Sequence, residues 1–307
     1  MIELSRLEIF VYSAESLSFS EAAKHLRLSQ PTISHHIQGL EQELGVQLFE
    51  RSGSGLRLTE AGQLLLPWAR KLLRETFEMQ DMMASMEEKV AGHLRIACST
   101  TSGKYLLPQL AARFHEQYPG VKITILSCTQ ENVMPEMLEE EANLGVLSRE
   151  VRAEGFECQE FFEDHIILIA PARPPWDSRP VIEPGDLVDV PFIIREPFSG
   201  TRQVMAAELA KHDISLDDLD VFLEVGNAEA IVETVAAGFG MSFVSQLAAS
   251  CALQYGKVTK IAVADLQLRR KIYMIRKEIE NRTRAQEVFW GFIHDPANAD
   301  LLQLAQA

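Results

Sequence analysis

Gln30, Thr32, Ser34, His35 and Gln38 recur on one side of a segment whose other side carries Ile33, Ile37, Leu40 and Leu44. At helical spacing the apolar set must face inward, which leaves the polar set outside. These side chains suit one kind of chemistry. A glutamine amide pairs with an adenine edge, Ser and Thr hydroxyls donate or accept at several bases, and a Thr methyl can touch a thymine methyl. Just beyond, Arg51 and Arg57 flank Ser52-Gly53-Ser54-Gly55, where a hairpin could carry them to phosphate. Gln30, Pro31, Thr32, Ser34, His35, Gln38, Arg51 and Arg57 are therefore read as a surface for duplex DNA.

Short elements must position that surface. Ser18 followed by Glu21 has the reciprocal capping-box spacing, and Ala22, Ala23 and Leu26 then give a small apolar face. Leu28 and Ser29 make a tight connection, Ser29 can cap the next helix, and Pro31 falls in its first turn, where a missing N–H costs nothing. This is a helix-turn-helix whose second helix reads DNA. Leu4, Leu7, Val11 and Ala14 predict a supporting helix over roughly 3–15, and 46–51 with 56–59 predict a wing. The same spacing also fits a plain three-helix packing unit with a hairpin.

Within residues 1–58 the acids Glu3, Glu8, Glu15, Glu21, Glu41, Glu43 and Glu50 outnumber Arg6, Lys24, Arg27, Arg51 and Arg57. Affinity for DNA leans on phosphate neutralisation, so one copy should bind weakly and several copies are needed. Residues 59–90 supply a means of pairing. Leu65, Ala69, Leu72, Thr76, Met79, Met83, Met86 and Val90 follow at heptad spacing, as in a coiled coil. The stripe also fits a helix packed on its own domain, but a helix this long spans roughly 40 Å and would outrun a small winged unit. Pro67 is expected to bend its beginning.

Four motifs occur in order: F-S-E-A-A-x-x-L from Phe19, L-S-Q-P-T-I-S-H-H-I from Leu28, L-E-x-E-L-G-V-x-L-F-E-R from Leu40, and L-T-E-A-G from Leu58. Residues 1–90 thus resemble the N-terminal half of a LysR-type transcriptional regulator. The resemblance implies double-stranded DNA, a small-molecule effector and a second copy of the chain as partners. It also implies a homodimer through the linker helix, pairs of dimers forming a homotetramer, and a place for RNA polymerase. Many members of that family carry arginine where this chain has His35 or His36, so it transfers no base contact to those two positions.

Beyond residue 92 strands alternate with helices. Strand patterns fall at 93–98, 121–127, 144–147 and 166–170, with helical runs at 104–118 and 132–141. After a proline-rich loop at 171–184 come strands at 192–194, 222–225, 241–244 and 271–275 and helices at 201–212, 228–237 and 282–293. The alternation predicts an α/β fold with a mainly parallel sheet in two lobes, the periplasmic-binding-protein architecture, which is also what the resemblance implies for an effector domain. The expected organisation is a winged helix-turn-helix over 1–58, a dimerising linker helix over 59–91 and an effector-binding domain over 92–307. Within the last, lobe I takes 92–163 and 268–307, and lobe II takes 164–267.

In such a fold ligands sit at the carboxyl ends of strands, where helix starts point N–H groups into the cleft. Three stretches stand there: Ser99-Thr100-Thr101-Ser102, the run from Arg195 to Arg202 that contains Ser199 and Thr201, and Gly226-Asn227. Thr129 and Ser148 end their own strands and join them, and Arg202 could grip an anion with its fork. Each stretch alone reads equally as a helix cap. Together they suit a small anion, a carboxylate or phosphate metabolite, as co-inducer, and no cofactor or metal is expected. Glu196-Pro197-Phe198-Ser199-Gly200-Thr201-Arg202 resembles an E-P-x-S-G-T-R sequence of LysR-type regulators that sense anions or phosphorylated metabolites.

Composition excludes other classes. No G-x-S-x-G elbow, P-loop, H-E-x-x-H or spaced His/Cys set occurs, so no enzyme is expected. Apolar runs are too short for a membrane span. Glu3, Arg6 and Glu8 interrupt any export signal, and Cys98, Cys128, Cys158 and Cys251 lack C-x-x-C spacing. The expectation is a cytoplasmic protein with reduced thiols. Most of the net charge of −15 lies beyond residue 91, which confines DNA contact to one end.

Overall fold

Capping decides where the first helices begin. Ser29 Oγ accepts from the Thr32 amide at 3.2 Å and opens α3 (Gln30–Leu44), while Ser18 Oγ accepts from the Glu21 amide at 3.3 Å and opens α2 (Phe19–Leu26). The second cap is not reciprocal: the Glu21 carboxylate pairs with Lys24 Nζ at 2.7 Å, because a cation one turn on satisfies it better than an exposed amide. The computed structural model describes residues 2–52, 55–85, 90–98, 101–278 and 282–305. It divides into two units, Met1–Glu87 and Glu88–Ala307.

In the first unit α1 (Leu4–Ser16) crosses α2 and α3, and Ile33, Ile37 and Leu40 are buried with Leu7, Phe10 and Leu48. The turn between α2 and α3 closes at Arg27, which takes the left-handed conformation at φ 54°. A two-stranded antiparallel wing follows, β1 (Phe49–Ser52) with β2 (Gly55–Leu58). Thr59 then ties the next helix to the wing. Its hydroxyl donates to the Gln47 carbonyl at 2.6 Å and accepts from the Gly62 amide at 3.1 Å. Gly62 is required there, since a Cβ would lie 2.2 Å from the Leu48 carbonyl oxygen.

The long helix α4 (Glu60–Ser85) runs through Pro67 without a break. Its heptad stripe divides differently from the sequence expectation. Leu65 and Ala69 pack into the core of their own unit, because α1 lies against this part of the helix. Val90 packs on the core of the second unit, and Met86 lies outside the described residues. Among the described residues of α4, the large apolar side chains left exposed are Leu64, Trp68, Leu72, Phe77, Met79 and Met83.

The second unit has two cores. The first forms around β3 (Gly92–Cys98), α5 (Thr101–Gln117), β4 (Val121–Ser127), α6 (Val133–Leu138) and β5 (Leu144–Leu147). From it β6 (Phe156–Pro171) carries the chain into the second core. That core holds β7 (Val181–Ile182), β8 (Pro191–Arg195), α7 (Gly200–Ala210), β9 (Asp220–Val225), α8 (Ala228–Ala236), β10 (Ser242–Ser245), α9 (Gln246–Gln254) and β11 (Val258–Val263). The chain returns along β12 (Leu268–Lys277) and closes with α10 (Arg284–Phe292) and α11 (Ala299–Gln303).

The sheet order is β4-β3-β5-β12-β6-β11-β7, with β10 also on β6 and β8-β9 as a separate parallel pair. It is mixed rather than mainly parallel. β12 pairs antiparallel with β6 along its whole length and with β5, and β10 and β11 also run antiparallel to β6. The first half of β6 lacks a clean apolar alternation because its acids are paired across the ladder. Glu157, Glu160 and Asp164 meet Arg276, Lys271 and Arg270. Helix α6 is shorter than the 132–141 expected, with Glu140 turned to φ 63° just past its end. No helix among the described residues is long and apolar enough to cross a membrane.

Candidate functional site

The exposed side of α3 is built as its spacing requires. Gln30, Pro31, His35 and Gln38 are exposed and Thr32 and Ser34 half-buried, with Ile33, Ile37 and Leu40 beneath them. Thr32 Oγ1 lies 2.7 Å from Ser29 Oγ, so its methyl and its hydroxyl are both placed by the cap. Arg57 is exposed on β2, opposite Glu50 in the ladder. Arg51 contributes its backbone to β1, and its side chain lies outside the described residues. The result is a row of polar side chains on a helix that its unit holds by one face.

In the second unit a cavity of about 330 Å³ opens at the carboxyl ends of β4, β5 and β8. Thr129, Ser148 and Ser199 line it. Ser148 Oγ donates to Gln130 Oε1 at 2.7 Å, and Gln130 lines the cavity as well. Ser199 is buried at the start of α7 and gives that helix no side-chain cap. The amides of Gly200, Thr201 and Arg202 make no hydrogen bond among the described residues. Free N–H groups at the start of a helix form a ready site for a negative charge.

Other expected residues stand elsewhere. Ser99 and Thr100, and the side chains of Thr101 and Ser102, lie outside the described residues. Thr201 is buried under α7 and does not line the cavity. Asn227 caps α8, accepting from the Ala230 amide at 2.9 Å. Arg202 is turned from the cavity: its NH1 donates to Glu224 at 2.7 Å and to the Arg195 carbonyl at 2.9 Å. A neighbouring carboxylate on β9 has taken the cation that the sequence offered to a ligand.

Arg270 is the residue the sequence reading missed. It lines the cavity from β12, its side chain only 5% exposed. Its Nε donates to Asp164 Oδ2 at 2.8 Å, and Ser245 Oγ donates to Asp164 Oδ1 at 2.7 Å. The signal was there, since strand alternation puts Arg270 on the inward row with Leu268 and Ile272. Lys104, Arg195 and Glu196 complete the polar wall, the last two locked together by paired hydrogen bonds of 2.7 and 2.8 Å. Cys128 also faces the cavity. Burial pushes its thiol up to about 11, with Glu136 adding to the shift.

The two units match two family descriptions. Residues 4–63 match the bacterial regulatory helix-turn-helix protein of the lysR family, and residues 87–297 match the LysR substrate binding domain. The chain is 32% identical over 297 residues to the uncharacterized HTH-type transcriptional regulator YeiE of Escherichia coli, covering 97% of this chain and 98% of the relative. It is 28% identical to the HTH-type transcriptional activator CmpR of Synechocystis, covering 96% of each. Among solved structures, the LysR family regulator CbnR matches with a TM-score of 0.72 at 21% identity, over 95% of this chain and 98% of that one. The CcmR regulatory domain of Synechocystis, solved with 2-PG, matches with a TM-score of 0.59 at 25% identity, over 66% and 95%. With its reading helix and its cavity-bearing unit each matched, and relatives aligned end to end, the protein belongs to the LysR family of transcriptional regulators.

Proposed function

We propose that the protein binds operator DNA as paired α3 helices and changes its grip on DNA when a small anion enters the cavity at the start of α7. The observation that carries the anionic reading is the start of α7, whose first amides are unbonded, set at a cavity that Ser148, Ser199 and Gly200 line. The CcmR neighbour, solved with 2-phosphoglycolate, supports the same class of ligand. A cavity of about 330 Å³ suits a metabolite of that size rather than a larger cofactor.

Pairing follows from the stripe of Leu64, Trp68, Leu72, Met79 and Met83 along α4, which a second copy would cover. The organisation proposed is a DNA-binding domain over 1–58, a linker over 59–91 and an effector domain over 92–307 whose lobes meet at 163/164 and 267/268. Two dimers form the tetramer, and such a regulator works on DNA in the cytoplasm. DNA contacts come from Gln30, Thr32, Ser34, His35 and Gln38, with Arg51 and Arg57 on phosphate. Effector contacts come from Thr129, Ser148 and Ser199.

The test is the thermal stability of the full chain in a panel of small anions beside neutral analogues of matched size. The anions that bind raise Tm, because a ligand held only by the folded state stabilises it. A panel in which neutral analogues act as strongly as anions contradicts the reading.

A further inference from the structure

We propose that Arg270 is the charge-reading residue of this cavity: it seats a compact oxyanion and ties that anion to the strands that join the two cores. The inference rests on the cavity being the effector site.

Asp164 satisfies only one edge of the Arg270 guanidinium. A guanidinium carries five N–H donors in a planar fork, and its best carboxylate geometry uses both oxygens. Here only Nε makes a hydrogen bond, to Asp164 Oδ2, while Oδ1 is occupied by Ser245 Oγ. NH2 also lies 2.8 Å from Oδ2 in the same ion pair, so both of these nitrogens face Asp164 and NH1 is the one turned to Gly200 and Ser148. NH1 makes no hydrogen bond among the described residues, so an acceptor in the cavity would gain its donors without displacing Asp164.

The place for that acceptor is marked by Gly200. A Cβ on Gly200 would lie 3.0 Å from Arg270 NH1 and 2.2 Å from Ser148 Oγ. The missing side chain lets the guanidinium edge and the Ser148 hydroxyl lie close against the start of α7, and all three face the same cavity. An anion there would take the Ser148 proton now given to Gln130, and the Gln130 amide would become the donor to Ser148. Glu196 is neutralised by Arg195, Glu131 is exposed at the rim, and Lys104 adds a second cation from the first turn of α5.

Arg270 also stands where the cores exchange chain. Asp164 and Arg270 are direct register partners on β6 and β12. One step along, Phe162 and Ile272 belong to the first core; on the other side, Ile166 and Leu268 belong to the second. Ser245, which holds the other Asp164 oxygen, is the residue before α9, a helix whose Leu247 enters the first core and whose Ala249 enters the second. An anion on Arg270 thus draws α7 and Ser148 towards the crossover and shares the guanidinium with Asp164. Its charge is felt at the strands that join the two cores.

The test is calorimetric titration of the full chain with inorganic sulfate, inorganic phosphate and 2-phosphoglycolate. It is paired with amide hydrogen exchange at 163–166 and 268–271. Wild type binds at least one of the three and slows exchange at both stretches. Arg270→Gln lowers affinity by about tenfold or more, the loss expected for a charge-assisted pair. Arg270→Gln strands a buried carboxylate, so Asp164→Asn/Arg270→Gln is measured beside it with circular dichroism to verify folding. Arg270→Lys keeps the charge without the fork and recovers only part of the affinity. Ser245→Ala keeps binding while weakening the exchange response. Anion binding in wild type with unchanged affinity in the folded double variant overturns the role of Arg270 and leaves the effector cavity standing. No binding of any of the three anions by wild type overturns both.

Discussion

Tyr105 on α5 donates its hydroxyl proton to Glu229 Oε1 on α8 at 2.9 Å, joining a helix of the first core to a helix of the second. Burial pushes the phenol well above its ordinary value, and the hydrogen bond and charge of Glu229 push it further, so the proton stays on Tyr105. Tyr105→Phe keeps the ring packed beside the first core and removes only the donor. The expected result is a loss of about 1 kcal/mol in stability, with faster amide exchange at the start of α8. Exchange unchanged at α8 would mean that the bond does not hold the cores together.

The exposed and buried sides of α4 should respond differently. Trp68→Glu places a charge on the stripe proposed to pair two copies. Light scattering should then report a smaller assembly than the wild type forms, with the melt of the first unit little changed. Ala69 is fully buried beside α1, so Ala69→Glu should destabilise the first unit by several kcal/mol, because an ionised carboxylate would be left unpaired inside it. A mass unchanged by Trp68→Glu would place the pairing surface elsewhere.

On the reading helix, Gln30→Ala should relax base preference with little effect on non-specific binding, since an exposed amide reads an edge rather than a phosphate. Arg57→Ala should weaken binding to all sequences and reduce the salt slope by about one. Ile33→Ala, in the core beneath, should cost about 2–5 kcal/mol of stability. Binding curves at several salt concentrations separate the first two, and denaturant melts identify the third.

Much of this was legible in the residues and some was not. The capped helices, the wing and the strands at 121–127 and 144–147 follow from local signals that tertiary contacts did not override. The first half of β6 was hidden because Glu157, Glu160 and Asp164 break its apolar pattern, and their partners lie on β12, more than a hundred residues away. For the same reason Arg270 was not singled out, whereas Arg202 was offered to an anion because its partner Glu224 lies on another element. At Leu65 and Ala69 the heptad spacing was real, but spacing alone cannot say which neighbour a stripe faces.

Cys128 gives a pH-dependent reporter of the cavity. Burial raises its thiol to about 11, so the reactive thiolate is scarce near neutrality and grows with each step towards that value. Alkylation at Cys128 should be slow at neutral pH, slower than at the exposed Cys251, and should keep accelerating with pH up to about 11. A bound anion should slow it further. Protection that is absent when sulfate or phosphate binds would place the anion outside this cavity.

The central claim is that paired α3 helices read DNA under control of an anion in the second unit. The most direct measurement is sequencing of duplexes retained by the full chain from a random pool, with and without the anion that raises Tm most. The expected result is enrichment of an interrupted palindrome whose half-sites or spacing preference shift when the anion is present. Retention without any enriched sequence, or an enriched site indifferent to every bound anion, would contradict it.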